Sequence, residues 1–460
     1  MKIIILGANQ VGSALAETLA NEANDITVVD ADNERLRVLK DHIDIGTITG
    51  QASHPDVLIR AGGEDADMII AVTENDEVNM VACRVAYSLF QTQTKICRIR
   101  SSSYLSSDKL LSKKHGIAVD DLVSPELIVS SYISQLIDLP GSLQVLDFAD
   151  GRVQLVAVKA FYGGPLVGQE IRLLRQHMPN VETRVAAIFR KDRPIIPEGS
   201  TVIEADDEVF FVAARENIRA CMGELRRLDK PYKRLIIAGG GNIGMRLAEK
   251  LEGRYQIKVI EHNPDRCTYL SENLNNAIVL NGEASHQELL LDENIEDTDV
   301  FLALTNDDEA NIMSSLLAKR LGAKKVMAII NNPAYVDLVQ GQGTEIDIAI
   351  SPQQATIGSV LAHVRRGDVV KVHSLRRGAA EAMEAVARGD QASSKVVGKA
   401  IEDIELPEGT TIGAIVRNNE VLIAHDDIVV ESDDHVILFL VNRRNIPEVE
   451  RLFQVGFSFF

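Results

Sequence analysis

The chain matches itself. KIIILGANQVGSALAETL, starting at Lys2, aligns with RLIIAGGGNIGMRLAEKL, starting at Arg234, and ITVVDADNERL from Ile26 aligns with IKVIEHNPDRC from Ile257. TGQASHPDVL from Thr49 matches NGEASHQELL from Asn281, and DADMIIAVTENDEVNMVA from Asp65 matches DTDVFLALTNDDEANIMS from Asp297. Gly7 and Gly239, Gly50 and Gly282, and Thr73 and Thr305 share one offset, from which Ile26 and Ile257 depart by a single residue. A duplication of this length means that one architecture is used twice.

Each repeat opens with short apolar runs alternating with amphipathic stretches. That is the pattern of a parallel sheet covered by helices on both faces, an α/β Rossmann-like lobe. Ser124-Pro125 and Ser351-Pro352 then read as helix starts, a serine cap followed by proline in the first turn. The first of these helices carries Ile128, Tyr132, Leu136 and Ile137 along one side, a stripe suited to packing. Hairpin signals follow: LQVLDF, the turn ADGR with Asp150-Gly151, VQLVAV, and later DDEVFFVA ending at Ala213. The second repeat answers with AIVRNNEVLIA from Ala414 and DDHVILFLV from Asp433, and VGQEI at Val167 pairs with VGKAI at Val397. The expected organisation is a tandem duplication of a Rossmann-like parallel-sheet lobe followed by a small α+β lobe. Its expected limits are residues 1–123, 124–229, 230–350 and 351–460. The Ala-, Glu- and Arg-rich stretch Arg376–Ser394 has no evident counterpart in the first half and reads as a helical or mobile insertion.

Composition narrows the partners. No apolar run reaches the roughly 18 to 20 residues that span a bilayer, and Lys2 leads directly into the strand Ile3–Leu6, so neither a membrane span nor a secretion signal is expected. Cys83, Cys97, Cys221 and Cys267 lie far apart in sequence and form no metal or disulfide pattern, which fits reduced core residues in the cytoplasm. The net charge of −19 disfavours nucleic acid and anionic lipid as partners. It suits the Lys- and Arg-rich cytoplasmic loops of membrane proteins.

The candidate sites follow the first strand of each repeat. Gly239, Gly241 and Gly244, with Asn242 and Ile243 between them, form G-x-G-x-x-G after RLIIA, and Glu261 ends the next strand. Glycines there let the backbone approach a pyrophosphate held on the helix start, and the carboxylate accepts from ribose hydroxyls, which favours NAD over NADP. The first repeat has Gly7, Asn9, Gln10, Val11 and Gly12, with Asn9 replacing the middle glycine and Asp30 keeping the ribose role. Its phosphate position is expected to shift. KICRIR places Lys95, Arg98 and Arg100 where the second repeat has Lys325, Ala328 and Ile330. Arg98 and Arg100 fall on one strand face near the carboxyl edge and either clamp additional phosphates or form surface ion pairs. Thr73 and Asn75, like Thr305 and Asp307, stand at the expected ligand mouth, although helix-start chemistry alone accounts for acidic residues there. His54 and His286 have no second histidine or cysteine at metal spacing, so no metal is expected. Nor does a general acid or base cluster stand out in the small lobes, which argues against a dehydrogenase and for a non-enzymatic role.

GANQVG and GGGNIG, TGQAS and NGEAS, and AVTENDEVN and ALTNDDEAN together make each half resemble a regulator of K+ conductance domain, over nearly the whole chain. The resemblance implies a tandem protein of the kind found as peripheral components of Trk potassium uptake systems. It implies a homotetramer carrying eight such domains on the inner face of the cell membrane, docked to a membrane potassium-translocating protein, with NAD(H) and ATP or ADP as ligands. Carried over, Gly7, Asn9, Gly12, Asp30, Arg98 and Arg100 would hold nucleotide in the first repeat. Gly239, Gly241, Gly244 and Glu261 would do so in the second.

Overall fold

A computed structural model describes the chain from residue 1 to 455, except residues 23, 113–115, 192, 340–345, 366–367, 376–378 and 426. It forms two compact units, one built from Met1–Ile128 with Pro352–Val360, the other from the rest of the chain.

In the first unit, six strands form one parallel sheet: β1 (Lys2–Leu6), β2 (Asp25–Asp30), β3 (Gly46–Thr49), β4 (Met68–Ala71), β5 (Thr94–Arg98) and β6 (Asp121–Val123). Their order is β3-β2-β1-β4-β5-β6. Both faces are covered, so β1 and β4 read as unbroken apolar runs, with Ile3 to Leu6 and Met68 to Ala71 all buried. The order reverses between β1 and β4, and the crevice at the carboxyl ends of those strands is where such sheets take ligands.

The second unit contains the other three sheets. An antiparallel sheet ordered β10-β9-β11-β8-β7 is built from β7 (Ser142–Phe148), β8 (Val153–Lys159), β9 (Thr183–Arg190), β10 (Arg193–Ile195) and β11 (Glu208–Ala214). The second parallel sheet uses β12 (Arg234–Ala238), β13 (Gln256–Glu261), β14 (Ile278–Asn281), β15 (Val300–Ala303), β16 (Lys325–Ile329) and β17 (Ile348–Ile350), ordered β14-β13-β12-β15-β16-β17. Last come β18 (Val369–Leu375), β19 (Ala380–Val386), β20 (Thr410–Arg417), β21 (Glu420–Ile423) and β22 (His435–Leu440), ordered β18-β19-β22-β20-β21. Read from its other edge, this is the topology of the first antiparallel sheet, so the duplication extends to both lobes. The two antiparallel sheets share one core, in which Phe148, Leu155, Phe189, Phe210 and Val212 meet Ala382, Ala414, Ile437 and Phe439.

That topology corrects the sequence reading of Arg376–Ser394. Residues 376–378 lie outside the described residues, but Ala380–Val386 is a strand paired on both sides, with β18 and β22. It is the counterpart of β8 and not an insertion. Its sequence, AEAMEAV, favours helix by propensity, and tertiary pairing overrides this because all seven residues are buried. The two glutamates are tolerated because each has a partner. Arg365 Nη2 lies 3.1 Å from Glu381 Oε1, while Glu384 accepts from the Ala149 N–H at 2.8 Å and contacts His435 Nδ1 at 2.6 Å.

The two serine-proline signals do begin helices, Pro125–Asp138 and Pro352–Val364. In the first, Leu136 and Ile137 of the expected stripe are buried, Ile128 and Tyr132 are half-buried, and Val129 and Ile133, outside that stripe, are buried as well. Among the described residues, no helix is long and apolar enough to cross a membrane.

Candidate functional site

β1 and β12 each run into a glycine with left-handed backbone, Gly7 at φ 108° and Gly239 at φ 107°. A Cβ on Gly12 would lie 1.8 Å from the Gly7 carbonyl oxygen, and one on Gly244 would lie 2.0 Å from that of Gly239. The outer two glycines of each motif therefore bring helix onto strand whether or not a ligand is present.

The middle position separates the repeats. A Cβ built on Gly241 meets no heavy atom within 4 Å, and no side chain caps the helix Asn242–Leu251. The early amides of that helix, Ile243 and Gly244 among them, belong to the set that lacks intrahelical partners. In the first repeat, Asn9 Oδ1 accepts from both the Val11 and Gly12 N–H groups at 3.1 Å, and its Nδ2 donates to the Val72 carbonyl at 2.7 Å. Asn9 thus fills the start of the helix Gln10–Ala20 from within. The Gln10 carbonyl at this loop accepts from Gln353 Nε2 at 2.9 Å, a contact across 343 positions of sequence that sequence reasoning had no means of finding.

The two carboxylates are built into their loops. Asp30 accepts from the Ala8 N–H at 2.5 Å and from the Asp32 N–H at 2.8 Å. Glu261 accepts from the Gly240 N–H at 2.8 Å and the Asn263 N–H at 2.9 Å. Each acid therefore fixes the glycine loop to the end of the neighbouring strand. A carboxylate offers about four acceptor positions, so both retain capacity for ribose hydroxyls.

Thr73, Asn75, Thr305 and Asp307 follow β4 and β15, beside these loops in the crevice. Asn75 caps the helix Asp76–Val85 by accepting from the Val78 N–H at 2.7 Å, and Asp307 caps Asp308–Arg320 through the Ala310 N–H at 2.7 Å. Acidic residues there also serve the backbone: Asp76 accepts from the Arg100 and Ser101 N–H groups, and Asp308 from those of Asn331 and Asn332. The sequence reading overlooked Asn79 and Asn311. Each is fully buried. Asn79 accepts from the Thr73 N–H and hydroxyl and donates to the carbonyls of Thr73 and Arg98. Asn311 does the same for Thr305 and Ile329. The recurring Thr followed six residues later by Asn was the available signal.

The three basic residues of β5 have different surroundings. Lys95 is buried in an ion pair with Asp120 at 2.5 Å, so it is structural. Arg100 Nε donates to Glu126 Oε1 at 2.9 Å, on the first turn of the helix Pro125–Asp138. Arg98 pairs in register with Val123 of β6, and its Nε is buried with no hydrogen-bond partner among the described residues. Burial, with Arg100 beside it, pulls the Arg98 guanidinium below its ordinary range. Ser124 Oγ and Glu126 Oε2 are likewise buried without partners. Buried polar atoms normally have partners, so three orphans near the end of β5 mark a place for a ligand or ordered water. His54 and His286 occupy helix-start positions without side-chain capping.

Known proteins resemble the chain throughout. The TrkA-N domain model matches residues 3–125 and 235–352, and the TrkA-C domain model matches residues 155–225 and 391–454. The Trk system potassium uptake protein TrkA of Halomonas elongata is 66% identical over 460 residues, covering 100% of both chains. The protein of the same name from Vibrio alginolyticus is 62% identical over 454 residues and 99% of both chains. Among solved structures, the GsuK RCK domain superposes with a TM-score of 0.61 at 18% identity, covering 98% of this chain and 95% of that one. The GsuK channel bound to NAD gives 0.60 at 18% identity, covering 98% and 79%. Those two likenesses bear on the fold alone: tandem Rossmann-like and small lobes. With both domain models matched twice, in the order of the internal duplication, and with such identity to curated members, this chain belongs to the TrkA family.

Proposed function

We propose that this chain is the nucleotide-responsive regulatory subunit of a membrane potassium uptake system and carries out no catalysis itself. The observation that carries this reading is the uncapped helix start at Gly241, bordered by a carboxylate at the ribose position and duplicated in outline at Gly7–Gly12. The name of the 66% identical relative supplies the transport context. In this reading NAD(H) occupies the second loop, with its diphosphate on the Ile243 and Gly244 amides and its ribose on Glu261. ATP or ADP, as well as NAD(H), occupies the first site, where Asp30 takes the ribose and Arg98 and Arg100 meet the terminal phosphates. Thr73, Asn75, Thr305 and Asp307 border the ligands through the turns that they fix. The subunit is cytosolic, assembles as a homotetramer and sits on the inner face of the membrane through its transporter, with folding units at 1–123, 124–229, 230–350 and 351–460.

A ligand moves such an assembly only by the difference in its affinity for two states. Arg100 offers that difference. Its partner, Glu126, begins the helix after the parallel sheet, so a third phosphate that draws Arg100 away releases the start of that helix, while a diphosphate that ends short of Arg100 leaves the ion pair in place. Potassium flux into vesicles containing the transporter and this subunit, measured with ATP and with ADP, tests the reading. It expects flux to differ between the nucleotides and the difference to vanish in Arg98→Ala and Arg100→Ala. Equal flux under ATP, ADP and no nucleotide would end it.

A further inference from the structure

The two glycine loops form an internal comparison, because the same backbone is built twice with one informative change. We infer that Asn9 determines specificity by turning the first loop away from a dinucleotide diphosphate. The inference rests on the nucleotide-binding reading above and goes further by ranking the two sites.

In a dinucleotide site, the diphosphate sits against the helix start and accepts from the first free amides. At the second loop no side chain among the described residues caps them, and the space beside Gly241 is open. At the first loop, Asn9 Oδ1 already takes the Val11 and Gly12 amides, and the opposite end of the same amide group is tied to the Val72 carbonyl. The side chain is held at both ends, so it cannot turn aside without breaking the cap and the Val72 contact together. An N-cap and one further hydrogen bond correspond to a loss of affinity on the order of tenfold or more for a ligand that must displace them.

An unsatisfied cationic donor of the first repeat lies elsewhere. Arg98 Nε is buried and has no partner among the described residues at the end of β5, two strands from the glycine loop across the switch point. A nucleoside polyphosphate can reach that cation with its terminal phosphates without lying on the helix start. A dinucleotide, whose diphosphate is flanked by a sugar on each side, ends instead in a neutral or cationic ring. Asn9 therefore favours a mononucleotide polyphosphate over NAD(H) at the first site, and Gly241 leaves the second open to a dinucleotide.

The test is equilibrium titration of the full chain with NADH and with ATP, for the wild type, Asn9→Gly, Gly241→Asn and the double variant. Thermal unfolding serves as a check that each variant is folded. The wild type is expected to bind one NADH per chain tightly. Asn9→Gly is expected to add a second tight NADH equivalent with ATP affinity changed less than threefold, and Gly241→Asn to weaken the original NADH site tenfold or more. Two equally tight NADH equivalents in the wild type, or an unchanged stoichiometry in a folded Asn9→Gly, would overturn the role given to Asn9 while leaving nucleotide binding intact. Absence of NADH and ATP binding from the folded wild type would instead remove the nucleotide reading, and this inference with it.

Discussion

Replacing Asn79 with alanine should loosen the first ligand crevice by a calculable amount. The amide of Asn79 accepts from the Thr73 N–H at 2.9 Å and donates to the Thr73 carbonyl at 3.1 Å and to the Arg98 carbonyl at 3.0 Å, so it straps the end of β4 to the end of β5. Truncation leaves three backbone groups without that partner. Each costs about 1 kcal/mol where water can enter the turn and more where it cannot, which gives about 3 kcal/mol for local opening. That is about a hundredfold in an opening equilibrium. A chain of more than one unit does not unfold in a single step, so the appropriate assay is amide hydrogen exchange resolved at Thr73. Asn311 provides the matched control, with the same bonds to Thr305 and to the Ile329 carbonyl. Asn79→Ala should speed exchange at Thr73 about a hundredfold and leave Thr305 unchanged, and Asn311→Ala should do the reverse. An acceleration below threefold at the cognate threonine would refute the strap.

Other consequences are open to direct measurement. His373 is half-buried edge-on against Phe148, with ring centroids 5.1 Å apart, and loss of solvent around the ring lowers its pKa to about 4. The unfolded chain, titrating near 6.5, binds a proton over that interval that the folded chain refuses, so this contribution to stability is complete above about pH 6.5 and is lost as pH falls toward 4. His373→Phe should flatten that acid limb in denaturant titrations run from pH 7 to 4; an unaltered limb would contradict the assignment. Gly244→Ala must displace the Gly239 carbonyl, 2.0 Å from the new Cβ, and should destabilise the second parallel-sheet lobe by about 2 kcal/mol or more, read by exchange at β12 amides. Gly241→Ala, with open space around it, should leave those amides within about threefold of the wild type; equal effects from the two substitutions would undo the distinction drawn between outer and middle glycines.

The parallel sheets were legible because burial on both faces writes itself as unbroken apolar runs at β1, β4, β12 and β15, and because the duplication confirmed each assignment once more. The linker helices were legible from serine-proline alone. β19 was not, since Ala and Glu carry no strand signature and the pairing that holds them comes from β18 and β22. At the site, the glycine spacing and the two strand-end carboxylates could be read from sequence, but what those residues do for the fold could not. Gly12 is excluded from change by a carbonyl that only the folded loop brings near, and Asp30 is engaged by the Ala8 N–H of that same loop. The sequence marked the basic residues of β5 as a group. Packing distinguishes them, burying Lys95 with Asp120, tying Arg100 to Glu126 and leaving the Arg98 Nε without a partner among the described residues. Gln353 could not have been found, because nothing local connects it to Gln10.

A crystal structure of the chain grown with NADH tests the account at its centre. The account predicts a dinucleotide at the second parallel sheet, its diphosphate on the Ile243 and Gly244 amides and a ribose hydroxyl on Glu261. Density for NADH away from the Gly239–Gly244 loop, or a loop left vacant at saturating NADH, would contradict it.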